Sequence, residues 1–135
     1  EKNIKSVLIG GKDDQSLCEN IVKDVGGDRC LSLSGKLTIL ETAAMINNAK
    51  LLITNDSGLM HVGDALKTPL LTIFGSTVQE LGFFPTAATS MVVENKELSC
   101  RPCSHIGRSH CPKKHFRCMK ELTPDQLWQR VKKIL

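Results

Sequence analysis

Short apolar runs alternate along the chain with stretches in which apolar residues recur every three or four positions. Residues 6–10 (SVLIG) read as a core strand closed by Gly10-Gly11. Leu17, Ile21, Val22 and Val25 then fall at helical spacing within residues 14–25, and Gly26-Gly27 stops that helix. Residues 30–34 (CLSLS) predict a short strand. Thr38 is placed to cap the next helix, with Glu41 in the capping-box position and Ala43, Ala44, Met45 and Ile46 behind it. Residues 50–54 (KLLIT) predict another strand and residues 57–66 a short helix. Thr68-Pro69 turns the chain into the apolar run 70–75 (LLTIFG), and residues 90–94 (SMVVE) form one more run of that kind. The last helix is the most sharply marked. Thr123 is its N-cap, Pro124 takes the first helical position and Gln126 completes the capping box. Leu127, Val131, Ile134 and Leu135 supply its apolar stripe, and Lys132 and Lys133 stand where the helix dipole favours cations.

Strands separated by helices of this length predict an α/β fold, a Rossmann-like parallel sheet with flanking helices. Ligands of such sheets sit beyond the carboxyl ends of the strands. The 135 residues suffice for one compact domain, and the apolar and charged fractions of 41% and 24% are those of an ordinary globular protein. No apolar run approaches the roughly 18 residues that a membrane span needs, and no signal-peptide pattern opens the sequence. The chain starts at Glu1 rather than Met and enters a strand almost at once, as expected of a piece of a longer protein.

The net charge of +4 is unevenly distributed. Residues 98–120 hold Arg101, Arg108, Lys113, Lys114, Arg117 and Lys120 with no Asp or Glu, and His105, His110 and His115 join them. Such a stretch is either a solvated loop or a face that meets phosphates, on anionic lipid or on a substrate. Nucleic acid is the weaker partner, because the chain has no Tyr and 4% aromatics, which leaves little for base stacking.

The clearest candidate site is Asn55-Asp56-Ser57-Gly58-x-x-His61, where strand KLLIT meets a helix. Ser57 or Asp56 can cap that helix, and Gly58 lets a ligand approach the backbone. Free amides of the first turn, together with the helix dipole, suit a phosphate or diphosphate. His61, four residues after Ser57, leans toward the same opening and can donate to a phosphate oxygen. Asp56 is better suited to accepting hydrogen bonds from sugar hydroxyls, since two anions repel. The plainer alternative is that Asp56 and Ser57 merely cap a helix and His61 is a satisfied, half-buried histidine.

At this segment the sequence resembles glycosyltransferase family 9, the ADP-heptose:lipopolysaccharide heptosyltransferases. The likeness runs through residues 34–77 and resumes over 100–125, in CRPC, CP, HFRCM and LTPD. It implies a GT-B fold, two Rossmann-like domains across a cleft, with this chain, residues 1–135, as most of the C-terminal domain that holds the nucleotide sugar. It implies that Asp56, Ser57, Gly58 and His61 contact diphosphate and sugar. It further implies that Gly35 to Thr38 flank the adenine, with Leu37 packing on it, and that Asp14 stands near the ribose. The Asp14 transfer is the loosest, because Asp13-Asp14 stand where a Glu is more usual. Ser76-Thr77 replace a commoner Pro-Thr, with Thr77 read as loop structure open to a ligand contact.

The resemblance also implies an inverting transfer of heptose from ADP-heptose to the lipopolysaccharide inner core, in the cytoplasm at the inner face of the inner membrane. Peripheral membrane contact is expected and no cofactor is. The general base and the acceptor site would lie in an N-terminal domain outside this sequence, and a phosphate-binding Thr and Lys would precede Glu1. No catalytic residue is therefore expected here, and these residues alone should bind nucleotide weakly without turnover.

Cys100, Cys103, Cys111 and Cys118 are spaced C-x2-C-x7-C-x6-C, apart from Cys18 and Cys30. Four thiols so close together could hold zinc or iron, although only one C-x2-C pair is present; free thiols or late disulfides are the alternatives. A competing function follows from a metal there, namely a small metal-stabilised module that docks its basic Cys/His loop on nucleic acid or anionic lipid.

Overall fold

The computed structural model describes residues 4–108 and 110–135, so residues 1–3, and Ser109 of the Cys/His-rich stretch 98–121, lie outside the described residues. The chain divides into two compact units, Glu1–Ala44 and Met45–Leu135.

In the first unit, β1 (Ser6–Leu8) pairs in parallel with β2 (Cys30–Ser32), with Ser6 opposite Cys30 and Leu8 opposite Ser32. A single turn of 3-10 helix, Lys12–Asp14, leads into α1 (Gln15–Val25), which ends at Gly26 with φ of 94°. Helix α1 packs on β2 through Cys18, and Cys18, Cys30 and Ser32 are buried. Its expected apolar stripe is only partly used, since Leu17, Ile21 and Val25 remain exposed while Val22 is half-buried. A two-stranded sheet is narrower than the stripe and cannot cover it. Helix α2 (Ile39–Asn47) begins as the sequence predicts: Glu41 Oε2 accepts from Thr38 N at 2.7 Å, and Thr38 Oγ1 accepts from Glu41 N at 3.3 Å. These bonds, the Thr38 amide first, hold the Glu41 carboxyl below its ordinary pKa.

The second unit is built on three parallel strands in the order β3 (Leu52–Asn55), β4 (Leu70–Phe74), β5 (Ser90–Glu94). Central β4 buries Leu70, Leu71, Thr72 and Phe74, as a parallel strand covered on both faces should. Helix α3 (Gly58–Ala65) lies against β3 and β4 through Met60, which is fully buried, and Gly63. A Cβ at Gly63 would stand 2.7 Å from Leu52 Cδ2, so the missing side chain sets how closely α3 approaches the sheet. Near the end come α4 (Arg117–Lys120), which the apolar pattern did not predict, and α5 (Pro124–Val131). The Thr123–Gln126 capping box of α5 forms as read from the sequence. Helix α5 stops at Val131, so Ile134 and Leu135 are half-buried beyond it rather than part of it. Both sheets are parallel with flanking helices, the expected fold class.

Asp64, in the last turn of α3, fixes the chain entering β5. Its carboxylate accepts from Thr86 N, Thr86 Oγ1, Ala87 N and Ser90 Oγ at 2.9–3.1 Å. Partial burial works against its ionisation, but these donors outweigh it, the amides of Thr86 and Ala87 first, and its pKa lies below the ordinary aspartate value.

Candidate functional site

Parallel pairing places Asn55 opposite Ile73 and Phe74 opposite Glu94, so the loops leaving β3, β4 and β5 gather at one edge of the sheet. The first of these loops is the polar junction read from the sequence. Ser57 occupies the N-cap position of α3 with extended backbone, yet its side chain makes no capping bond. Its hydroxyl lies 3.2 Å from Thr54 Oγ1 instead. The expectation that Ser57 or Asp56 caps the helix by its side chain therefore fails, because Thr54 and Thr77 compete for those oxygens. Among the described residues, no side chain caps the first-turn amides of Gly58 and Leu59, while Met60 N donates to Ser57 O at 3.1 Å.

Asp56 is half-buried, and its Oδ2 accepts from Thr77 Oγ1 at 2.7 Å. Thr77, at 1% exposure, is enclosed in the loop after β4, and its hydroxyl is committed to Asp56. It fixes the direction of the carboxylate while leaving Oδ1 without a protein donor among the described residues. Gly58 is exposed, and a Cβ placed on it would meet nothing within 4 Å. The chain's own packing therefore does not require glycine at that position. His61 is exposed, with no hydrogen bond or ion pair among the described residues, so it is not the satisfied, half-buried histidine of the plainer alternative. The half-buried Asp56 and Ser57 and the exposed Gly58 and His61 thus belong to one corner of the second unit.

The other two expected contacts belong to the first unit, in adjoining loops at the carboxyl ends of β1 and β2. Gly35 N donates to Gly10 O at 2.9 Å and ties the loops together. Gly35 has φ of 67°, and a Cβ there would come within 3.1 Å of Lys12 Cα, so both conformation and space favour glycine. Leu37 is half-buried in the second of these loops. Asp14 turns back on its own loop, with Oδ2 accepting from Gly11 N at 2.8 Å. One oxygen of Asp14 is therefore used in closing the Gly-Gly turn, which sequence reasoning did not anticipate.

The basic stretch is less uniform than its composition suggests. Arg101 turns inward, its side chain 4% exposed, and Arg117 pairs with Glu121. Arg108, Lys113, Lys114 and Lys120 remain exposed. All six cysteines are free thiols. Cys100 Sγ lies 3.9 Å from His115 Nε2. Burial first, and then the charges of Cys103, Cys111 and Cys100, push the Cys118 thiol up. Cys111 is drawn down, chiefly by the amide of Phe116. Among the described residues, no group of three His, Cys, Asp or Glu side chains is set to hold a metal ion. No helix is long and apolar enough to cross a membrane among the described residues.

Two residues that the sequence left in the background do much of the positioning: Thr77, and Arg101 discussed below. The sole hint for Arg101 was its place between Cys100 and Cys103, residue types that favour the interior.

The family model described as glycosyltransferase family 9 (heptosyltransferase) matches residues 1–114. A lipooligosaccharide heptosyltransferase 2 of Campylobacter jejuni is 32% identical over 126 residues, covering 92% of this chain and 39% of that protein. Its counterpart in Haemophilus influenzae is 25% identical over 133 residues, covering 95% of this chain and 37% of that protein. The chain thus spans about two fifths of the length of these relatives. Two solved structures share the fold. The E. coli ADP-heptose lps heptosyltransferase II superimposes with a TM-score of 0.73 at 22% identity, over 96% of this chain and 36% of that one. A glycosyl transferase family 9 protein from Veillonella parvula gives 0.75 at 24% identity, again over 96% and 36%.

Proposed function

This chain belongs to glycosyltransferase family 9, and we propose that it is the donor-binding part of an inverting heptosyltransferase that takes heptose from ADP-heptose to the lipopolysaccharide inner core. The observation that carries this reading is the corner at the start of α3. There the first helical turn lacks a side-chain cap, Gly58 leaves open space, and His61 is exposed beside it. Backbone amides at a helix N-terminus are a natural seat for a diphosphate. His61 would donate to a phosphate oxygen, and the free oxygen of Asp56 would accept from the sugar hydroxyls. Leu37 would pack on the adenine and Asp14 would reach the ribose. The general base and the acceptor site are assigned to an N-terminal domain outside these residues. On this reading the protein works in the cytoplasm at the inner face of the inner membrane, with the exposed lysines of the 101–120 stretch available for anionic lipid.

Steady-state kinetics of the full-length enzyme test the assignment. Asp56→Ala and His61→Ala are each expected to lower kcat/KM for ADP-heptose by about ten- to hundredfold, the effect of losing one charge-assisted hydrogen bond of about 1.5–3 kcal/mol. Wild-type kinetics in both variants would remove the site. Gly58→Ala separates folding from binding. It should leave stability within about 0.5 kcal/mol, because nothing in the chain opposes a methyl group there. It should also weaken ADP binding in titration calorimetry, and an unchanged ADP affinity would take Gly58 out of the diphosphate site.

A further inference from the structure

Arg101 makes four side-chain hydrogen bonds, and its partners lie at the end of β5 and on the loops that follow β4 and β5. Its Nε donates to Gly75 O at 2.5 Å, Nη1 to Asn95 O at 2.6 Å, and Nη2 to Thr77 O at 2.7 Å and to Glu94 Oε2 at 2.8 Å. With its side chain 4% exposed and that of Glu94 10% exposed, this charge pair is withdrawn from water. A buried guanidinium is tolerated only when paired and hydrogen-bonded, and these four acceptors satisfy that demand. The same group that is bonded by Arg101 through its carbonyl, Thr77, donates its hydroxyl to Asp56 Oδ2 at 2.7 Å. A continuous chain of contacts therefore runs from Arg101 through Thr77 to Asp56.

We propose that Arg101 is a positioning residue for the sugar-binding carboxylate: its guanidinium locks the Gly75–Thr77 loop so that Thr77 aims Asp56 at the donor sugar. The inference rests on the donor-site reading given above. Lysine cannot replace arginine here, because a single ammonium cannot span three carbonyls and a carboxylate in one plane. The first-turn amides of α3 do not depend on this chain of bonds. Loosening it should therefore harm recognition of the sugar and leave recognition of ADP intact, a separation that a merely structural arginine would not produce.

The test uses the full-length enzyme with Asp56→Asn, Arg101→Lys, Thr77→Val, Thr77→Ser and the double variant Asp56→Asn/Arg101→Lys. Two quantities are measured: kcat/KM for ADP-heptose, and the affinity for ADP by calorimetry. Arg101→Lys and Thr77→Val are expected to lower kcat/KM about tenfold, and Thr77→Ser to restore most of what valine loses. The double variant should be no worse than Asp56→Asn alone, with ADP affinity within about twofold of wild type throughout. If Asp56→Asn impairs transfer while Arg101→Lys and Thr77→Val do not, or if the effects multiply in the double variant, the positioning role is overturned. An equal loss of ADP affinity overturns it too. A silent Asp56→Asn would instead remove the donor-site reading itself. Should Arg101→Lys fail to fold, Thr77→Val, which is nearly isosteric, decides alone.

Discussion

Phe74→Ala is expected to destabilise the fold by about 3–5 kcal/mol, the range for deleting a large buried ring. Phe74 ends the central strand β4, is fully buried, and stacks at a ring-centroid distance of 4.0 Å and a 41° tilt on Phe84. Strands β3 and β5 flank β4 on either side, so the surroundings have little freedom to collapse into the space left. Urea denaturation of the full-length protein measures the loss, with Phe74→Leu as a milder control. A cost below about 1.5 kcal/mol would mean that this end of the sheet is not packed as described. The consequence reaches the site, since Gly75 to Thr77 follow Phe74 directly and Thr77 holds Asp56. A softened β4 should therefore lower transfer before it abolishes folding.

Asp64→Ala should cost about 3 kcal/mol, because it removes a carboxylate that accepts from four donors and leaves two backbone amides without their partner. The pH dependence follows from the direction of its pKa. The folded-state pKa is lowered, so the stabilisation is fully present above the unfolded aspartate value of about 3.9 and is lost as pH falls through the lower folded value. Thermal midpoints of wild type should decline through that acid window, and Asp64→Asn should remove this component. Parallel declines in the two proteins would assign the acid sensitivity to other groups. Because Asp64 tethers the segment before β5 and not the corner at Asp56, ADP affinity at neutral pH should survive in any Asp64 variant that folds.

The candidate site at Asn55 to His61 was legible, since a strand that stops at a run of Asn, Asp, Ser and Gly before a helix is a local pattern. Its working geometry was not. Ser57 is the N-cap by position but not by side chain, because Thr54 is within reach of its hydroxyl and Thr77 engages the neighbouring Asp56. One oxygen of Asp14 closes the loop on Gly11, a bond that the sequence pattern does not announce. Arg101 was counted with five other basic residues of its stretch, and its burial reverses that placement. The helical spacing of Leu17, Ile21 and Val25 matches α1, but spacing does not decide cover, and all three are exposed.

By itself the sequence determined the order of the strands and of the helices other than α4, the capping boxes at Thr38 and Thr123, and the polar junction after β3. Each of these is fixed by contacts among residues a few positions apart, where periodicity and capping chemistry act directly. Tertiary structure alone decided that Thr77 meets Asp56 across 21 positions, that Arg101 reaches Gly75 across 26, and that Asp64 clamps Thr86 across 22. Parallel strands joined by crossovers bring such distant loops to one edge of a sheet, and no pattern within a short stretch of chain records which partner will be waiting there.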